Sequence, residues 1–448
     1  MTRLCIMVAV CLVSGSVALG QGVSSPPGSW EPTVTPLPGT PAGRCAEAYF
    51  KAFNAGDEDV RRFEEAWRAP EALKERPIAL RLESYRDLKA KWGTLTLVGV
   101  PDVADGELVT LARTTENQWL VFEFRFEPQG KLAAIVIDGP VEEAELRQRL
   151  EPLDDETRDQ TIRAVIYSLN TQYVFPEVAA KMEAAIKANV ASGKYAAITS
   201  APQLASVLTD DLRAVCHDKH LRVRMNPGTP PGGVSGPLRD PAEDARSNYG
   251  FTRTEVLPGN IGYIKLDGFH PSDEARNAAA AAMAQVAGCD ALIFDLRDNG
   301  GGSPRMVEFL GGYLYDKPTV LNVFFDRKGR QVSQTRTLEQ VPGKKLGESL
   351  PVYVLTSSRT FSCAEEFAYD LQCTKRGTIV GETTGGGAHP VTGRPLNDRF
   401  VITIPYQRAE NPVTKTNWEG RGVAPDISTP AAGALDAACA DARKRLAR

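Results

Sequence analysis

A serine at the head of a helix-forming run is the residue best placed in this chain to do covalent chemistry. Residues 356–371 read TSSRTFSCAEEFAYDL, in which small polar residues give way to an acidic, helix-forming segment with Ser362 and Cys363 at the junction. The apolar run PVYVLTS before it predicts a strand. Strand, short turn and helix would set the Ser362 hydroxyl beside backbone N–H groups that no helical carbonyl can reach. An alkoxide or a tetrahedral oxyanion is stabilised there. Glu365, three residues on, gives the same stretch the pattern of a capping box, so on local sequence alone an ordinary helix start is the commoner reading.

A serine nucleophile needs a base. The chain has four histidines: His217, His220, His270 and His389. His217 and His220 fall in CHDKHLRV, a polar junction between a helix and a strand. Their spacing could hold a metal, but no HExxH pattern or third-ligand spacing accompanies it, so no metal is expected. His270 ends a strand, and His389 follows the glycine-rich GETTGGGA. A second glycine run, in DLRDNGGGSP (295–304), follows the apolar strand ALIF. Consecutive glycines after a strand let the backbone come close to a ligand and aim N–H groups at an anion. The phosphate-loop pattern GxxxxGK[ST] is absent.

Taken in order, HDKHLRV, GYIKLDGF, ALIFDLRDNGGGSP, SSRTFSCAEEF, IVGETTGGG and NWEGRGVAPDI resemble the C-terminal-processing (tail-specific) serine peptidases, over about residues 155–435. The nearest branch is that of the tricorn-core-like proteases and the interphotoreceptor retinoid-binding-protein modules. The resemblance implies a crotonase-like α/β core with a mainly parallel sheet. It implies Ser362 as nucleophile and an oxyanion hole built from the amides of Cys363 and Gly301, with Gly300 as the nearest competitor. Tail-specific members use a lysine base in the loop after the GE motif. This chain reads GETTGGGAH there, with Gly387 about where the lysine would fall, so a Ser–Lys dyad is not expected. Tricorn-like members use a histidine before the core strands and a late glutamate, which match His220 and Glu419. The expected order His–Ser–Glu is a further variant of a triad defined by roles. Glu382 is a rival orienter of the imidazole and His389 a secondary candidate. Many members carry a peptide-binding PDZ module before the core, but residues 226–250 are too short and too rich in Pro and Gly to hold one.

The elements that must position these residues follow from periodicity. Helical patterns over 153–225 lead into the Pro/Gly-rich linker 226–250, and strands then alternate with helices from 251 to 435, the pattern of an α/β layer. Residues 44–140 read as helices followed by an antiparallel meander, a separate small α+β unit similar to a cystatin-like cone. Residues 1–20 (Arg3, then LCIMVAVCLV and a small-residue segment) read as a signal peptide, and 21–43 as a flexible linker. An exported, periplasmic or extracellular protein is expected, with no transmembrane span after cleavage. Six cysteines follow residue 20, with no CxxC pair.

A length of 448 residues predicts two or three domains, and a net charge of −4 without a basic run excludes nucleic acid as the main partner. The expected partner is a polypeptide substrate, and no cofactor is needed; nothing in the chain signals an oligomeric state. Two other classes fit the same residues. One is a binding protein for apolar ligands or peptides that keeps catalytic-looking side chains. The other is an esterase for small acyl substrates.

Overall fold

The computed structural model describes residues 31–32, 34–104, 107–127, 129–226 and 241–447. The expected leader and residues 227–240 of the connector lie outside them. Helices α1 (Pro41–Ala55), α2 (Asp57–Trp67), α3 (Pro70–Glu75) and α4 (Ile78–Trp92) precede strands β1 (Thr96–Ala104), β2 (Glu107–Arg113), β3 (Trp119–Phe126) and β4 (Leu132–Val141). The strands form an antiparallel meander in chain order. Helix α1 lays Tyr49, Phe50 and Phe53 on the inward face of β3, where Phe50 meets Phe122 at 4.9 Å and Tyr49 meets Phe124 at 5.6 Å. This is a separate α+β domain with its own core.

Helices α5 (Glu143–Leu150), α6 (Asp155–Gln172), α7 (Pro176–Ala191) and α8 (Ala201–Cys216) follow, then β5 (Arg222–Met225) and α9 (Pro241–Arg246). Ser200 caps α8, its hydroxyl accepting from the Gln203 amide at 3.3 Å. The remaining elements are β6 (Phe251–Leu257), β7 (Ile261–Leu266), α10 (Asp273–Gln285), β8 (Ala291–Asp295), α11 (Pro304–Leu314), β9 (Val320–Phe325), β10 (Gln331–Arg336) and β11 (Val352–Thr356). They continue with α12 (Cys363–Cys373), β12 (Thr378–Gly381), β13 (Val391–Pro395), β14 (Phe400–Pro405), β15 (Arg408–Glu410), β16 (Ile427–Ser428) and α13 (Ala434–Leu446).

The main sheet runs β16-β12-β11-β8-β7-β6 and is parallel except for the β6–β7 pair. Its central strands β8 and β11 are buried along their whole length, as a parallel sheet covered on both faces requires. Alternate residues serve opposite layers. Leu292, Phe294, Val352 and Val354 pack with α10, α11 and α12. Ala291, Ile293, Tyr353 and Leu355 face α13 through Ala434, Ala438 and Ala442. Helix α13 thus continues well beyond residue 435, where the sequence reading ended the core, because those alanines at every fourth position make one close-packing face.

Two smaller sheets flank this layer. One is β10-β9-β15, and the other is β13-β14-β5, antiparallel, on which α6, α7 and α8 pack through one apolar cluster. In the latter, Thr403 of β14 pairs with Arg222 of β5. Strand β5 precedes the whole main sheet in the chain and β14 follows most of it, so this pairing ties the helical segment to the core.

The topology decides where chemistry can occur. Strands β8, β11 and β12 are parallel neighbours, with Asp295 beside Leu355 and Thr356 beside Gly381. Their carboxyl ends therefore release three loops on one edge of the sheet: 296–303, 357–362 and 382–390. Ligands of open α/β sheets bind at that edge. From the N-terminal domain, Arg76 lies within electrostatic range of Arg359 and Asp298 beside these loops.

Candidate active site

Ser362 sits where β11 turns into α12, with φ 54° and ψ −123°. An ordinary N-cap residue has extended backbone. A non-glycine residue at this positive φ is strained by about 1–3 kcal/mol, and a strained strand-to-helix turn is how a nucleophilic serine is lifted out of a sheet. The Glu365 half of the capping box does form, since the Ser362 amide donates to Glu365 Oε2 at 2.9 Å. Glu365 does much more. Fully buried, it also accepts from Thr384 Oγ1 at 2.5 Å, the Gly386 amide at 2.6 Å and the Gly387 amide at 2.8 Å. One carboxylate therefore clamps the 382–390 loop to the head of α12. Cys363 is not a rival nucleophile: its thiol donates inward to the Gly302 carbonyl at 3.1 Å, and burial holds its pKa well above the ordinary thiol value.

The glycine run comes right against Ser362. A Cβ on Gly301 would lie 2.7 Å from Ser362 Cβ and 3.1 Å from the Cys363 nitrogen, and Gly301 has φ 107°. The adjacent Gly302 is equally constrained, with the Phe269 carbonyl 2.1 Å from where its Cβ would be. The Cys363 amide, at the first helical position, has no helical acceptor. The Gly301 amide donates to Asn299 Oδ1 at 2.8 Å, so in this conformation Gly301 gives the site room and its N–H is engaged. A Cβ on Gly300 would meet nothing within 4 Å. Asn299, which the sequence reading passed over, is fully buried and braces both loops: its Nδ2 donates to Leu266 O at 2.8 Å, and its carbonyl accepts from the Phe361 amide at 3.0 Å.

His220 arrives from the other side. Helix α8 ends at His217, an exposed residue in left-handed conformation. Asp218 then folds the chain back by accepting the His220 amide on Oδ1 at 2.9 Å, an Asx turn. The imidazole lies on the ring of Phe361, the residue before Ser362, with centroids 4.7 Å apart. Among the described residues no hydrogen bond joins His220 to Ser362. Gly387 packs under both rings: its Cβ would fall 2.7 Å from His220 Cε1 and 2.2 Å from Phe361 Cζ.

Glu419 and Asp218 complete the group. One ligand-type atom from each of Asp218, His220 and Glu419 lies within 4.8 Å of the others. His220 Nδ1 is 4.0 Å from Asp218 Oδ1, Glu419 Oε2 accepts from the Ala388 amide at 2.6 Å, and His389 Nε2 stands 3.8 Å from Glu419 Oε2. Burial dominates the titration of all four. It pushes His220 down to about 4, helped by Arg213 and Arg222, and His389 down to about 3, helped by His220 and Arg408. It lifts Asp218 to about 6 and, with the Asp218 charge, Glu419 to about 8. His220 is consequently neutral near pH 7, the form a general base needs.

The other sequence candidates separate. Glu382 is tied to the Ala431 amide at 2.8 Å and the Ser358 amide at 3.4 Å, with no bond to His220. His270 pairs with Asp244 at 2.9 Å and Ser272 at 3.1 Å. His389 joins the Glu419 side of the group and has Phe175 edge-on at 5.3 Å. Asp218 was missed in the sequence, although an Asp two residues before a His is the spacing of an Asx turn.

Behind α12 a second acidic pair is wholly buried. Asn322 Nδ2 donates to Glu366 Oε1 at 3.3 Å and to both Asp370 oxygens at 3.0 Å. Burial raises Glu366 to about 7 and Asp370 well above its ordinary value. A carboxyl whose pKa is higher folded than unfolded stabilises fully below the unfolded value, and that contribution is lost as pH rises through the folded one. The window is therefore about 4.5 to 7 for Glu366. Glu366→Gln is expected to leave the melting temperature unchanged at pH 4.5 and to raise it relative to the parent at pH 8. Equal pH slopes for the two proteins in thermal melts would contradict this.

A family model described as peptidase family S41 matches residues 260–429, which hold Ser362, Glu419 and the glycine run. A second, described as the N-terminal domain of peptidase S41 in eukaryotic IRBP, matches residues 156–243, which hold His220. Residues 260–429 are a peptidase family S41 domain. The chain is 31% identical over 183 residues to carboxyl-terminal-processing peptidase 2, chloroplastic, of Arabidopsis thaliana, covering 39% of this chain and 34% of that one. It is 31% identical over 157 residues to the carboxyl-terminal-processing protease of Synechocystis sp., covering 35% of each. It is 26% identical over 237 residues to the tail-specific protease of Haemophilus influenzae, covering 50% of this chain and 33% of that one. The chain thus spans about a third of the length of these curated relatives. Their family is one of serine-type peptidases. No helix among its described residues is long and apolar enough to cross a membrane.

Proposed function

We propose that this chain is an exported serine endopeptidase that cleaves polypeptides through an acyl-enzyme. Ser362 attacks the scissile carbonyl. His220 takes the hydroxyl proton and returns it to the leaving amine, and water then releases the acyl group by the same route in reverse. The oxyanion is held by the Cys363 amide together with an amide of the glycine run, Gly301 or Gly300. Glu419 helps orient the imidazole, and the Asp218 carboxylate beside it stabilises the protonated ring. Turnover requires His220 to exchange the Phe361 ring for the Ser362 hydroxyl, and the side-chain-free Gly387 beneath both rings leaves space for that shift. Among the described residues strand β13 pairs on one side only, so an extended substrate could add to that edge. Export rests on the leader-like segment 1–20.

The observation that carries this reading is the strained Ser362 backbone at a strand-to-helix turn, hard against Gly301, with the His220 ring on Phe361, the residue before it. Labelling with a fluorophosphonate followed by peptide mapping tests it: the adduct is expected on Ser362. A folded protein that takes no label there is a binding protein, the alternative that the packing of His220 on Phe361 favours. Label without peptide cleavage marks an esterase. Gly301→Ala, whose methyl would stand 2.7 Å from Ser362 Cβ, is expected to slow labelling by about 10²–10³-fold, the scale of a lost oxyanion-hole contact. Labelling at the parent rate would show that the oxyanion lies elsewhere.

A further inference from the structure

Four polar atoms at the centre of this site have no hydrogen-bond partner among the described residues: Asp218 Oδ2, His220 Nδ1, Glu419 Oε1 and His389 Nδ1. All four are buried, and the Asp218 and His389 side chains are only 2% and 3% exposed. Leaving buried acceptors unpaired is costly, and four such atoms in one place are unusual. Two carboxylates and two imidazoles make a set of nitrogen and oxygen donors that suits Zn²⁺.

We propose that Asp218, His220 and Glu419 form a Zn²⁺ site that reversibly switches the peptidase off, with His389, whose Nε2 stands 3.8 Å from Glu419 Oε2, beside it. The inhibitory half rests on the function proposed above; the binding half does not. A tetrahedral ion with bonds of about 2.1 Å needs donors about 3.4 Å apart. The three groups now lie within 4.8 Å of one another, so closing on the ion takes side-chain movements of about 1 Å. The chemistry of inhibition follows from the imidazole. A neutral ring bound through Nδ1 carries its proton on Nε2 and has no lone pair left to receive the proton of Ser362. The ion would also hold His220 against Asp218, away from the hydroxyl.

The test begins with Ser362→Ala, which keeps all four donors and cannot turn over. Titrated with ZnCl₂ by calorimetry, it is expected to bind one ion per chain and to melt at a higher temperature. Asp218→Asn and Glu419→Gln, each nearly isosteric, should bind more than about 100-fold more weakly, since even outer-shell changes cost about 10–100-fold. If both variants bind as tightly as their parent, or if Ser362→Ala retains no zinc, the site is wrong. In the unmutated chain, zinc should suppress fluorophosphonate labelling of Ser362, and EDTA should restore it. Variant-sensitive binding with unaffected labelling overturns the switch and keeps the site. Variant-sensitive binding in a protein that never labels, with or without metal, overturns the peptidase reading and leaves the site standing.

Discussion

Ser362→Ala should abolish covalent labelling and lower peptide turnover by about 10⁴-fold or more, because the acyl-enzyme route disappears with the hydroxyl. Its stability should stay within about 1 kcal/mol of the parent: alanine at φ 54° is as strained as serine, and no core volume is lost. Ser362→Gly separates strain from chemistry. Glycine adopts this backbone without penalty, so the variant should be equally inactive yet more stable by about 1 kcal/mol, after the extra freedom of its unfolded chain is deducted. A helix start that merely needs a cap predicts the opposite sign, since losing a serine cap destabilises. Denaturant midpoints of the three proteins decide it. Glycine below both of the others would mean that the turn is not stored strain and that Ser362 is an ordinary helix cap.

Much of this site is legible in the chain because glycine and turn residues report backbone needs directly. The run at 300–302 has to be glycine where Ser362 and the Phe269 carbonyl crowd it, and a serine between an apolar strand and an acidic helix marks the β11–α12 turn. The alternation of buried strands and helices after residue 251 exposes the parallel sheet for the same local reason. What stays hidden depends on long-range pairing. The short β5 joins β14 from the far side of the main sheet in chain order, and only that pairing brings His220 to the 382–390 loop. Strand β10 was not anticipated, because QVSQTR is polar and exposed apart from Thr335, and its partner β9 was not anticipated although VLNVFF is apolar. Asp218 is one acidic residue among many until the Asx turn points it inward. Glu365 is legible as half of a cap, but its partners Thr384, Gly386 and Gly387 lie beyond the end of α12, on the far side of β12, and no local pattern names them.

That hidden role makes Glu365 the position with the largest expected structural effect. Glu365→Ala strands four donors at once: the amides of Ser362, Gly386 and Gly387 and the Thr384 hydroxyl. Each buried donor left unpaired costs about 1–3 kcal/mol, and loop relaxation toward water recovers part of it, so a loss of about 3 kcal/mol is expected in urea unfolding with an unchanged m-value. Labelling of Ser362 should fall as well, because the clamp fixes Gly387 beneath the His220 and Phe361 rings. Glu365→Gln keeps one acceptor oxygen and adds a donor that faces other donors, so it should fall between the parent and alanine in stability. The order parent, glutamine, alanine is the signature of a carboxylate serving several amides. If alanine costs less than about 1 kcal/mol, the 382–390 loop is held by its other contacts, among them Gly385 N to Thr360 O and Gly420 N to Gly386 O, and Glu365 is only the cap its sequence suggests.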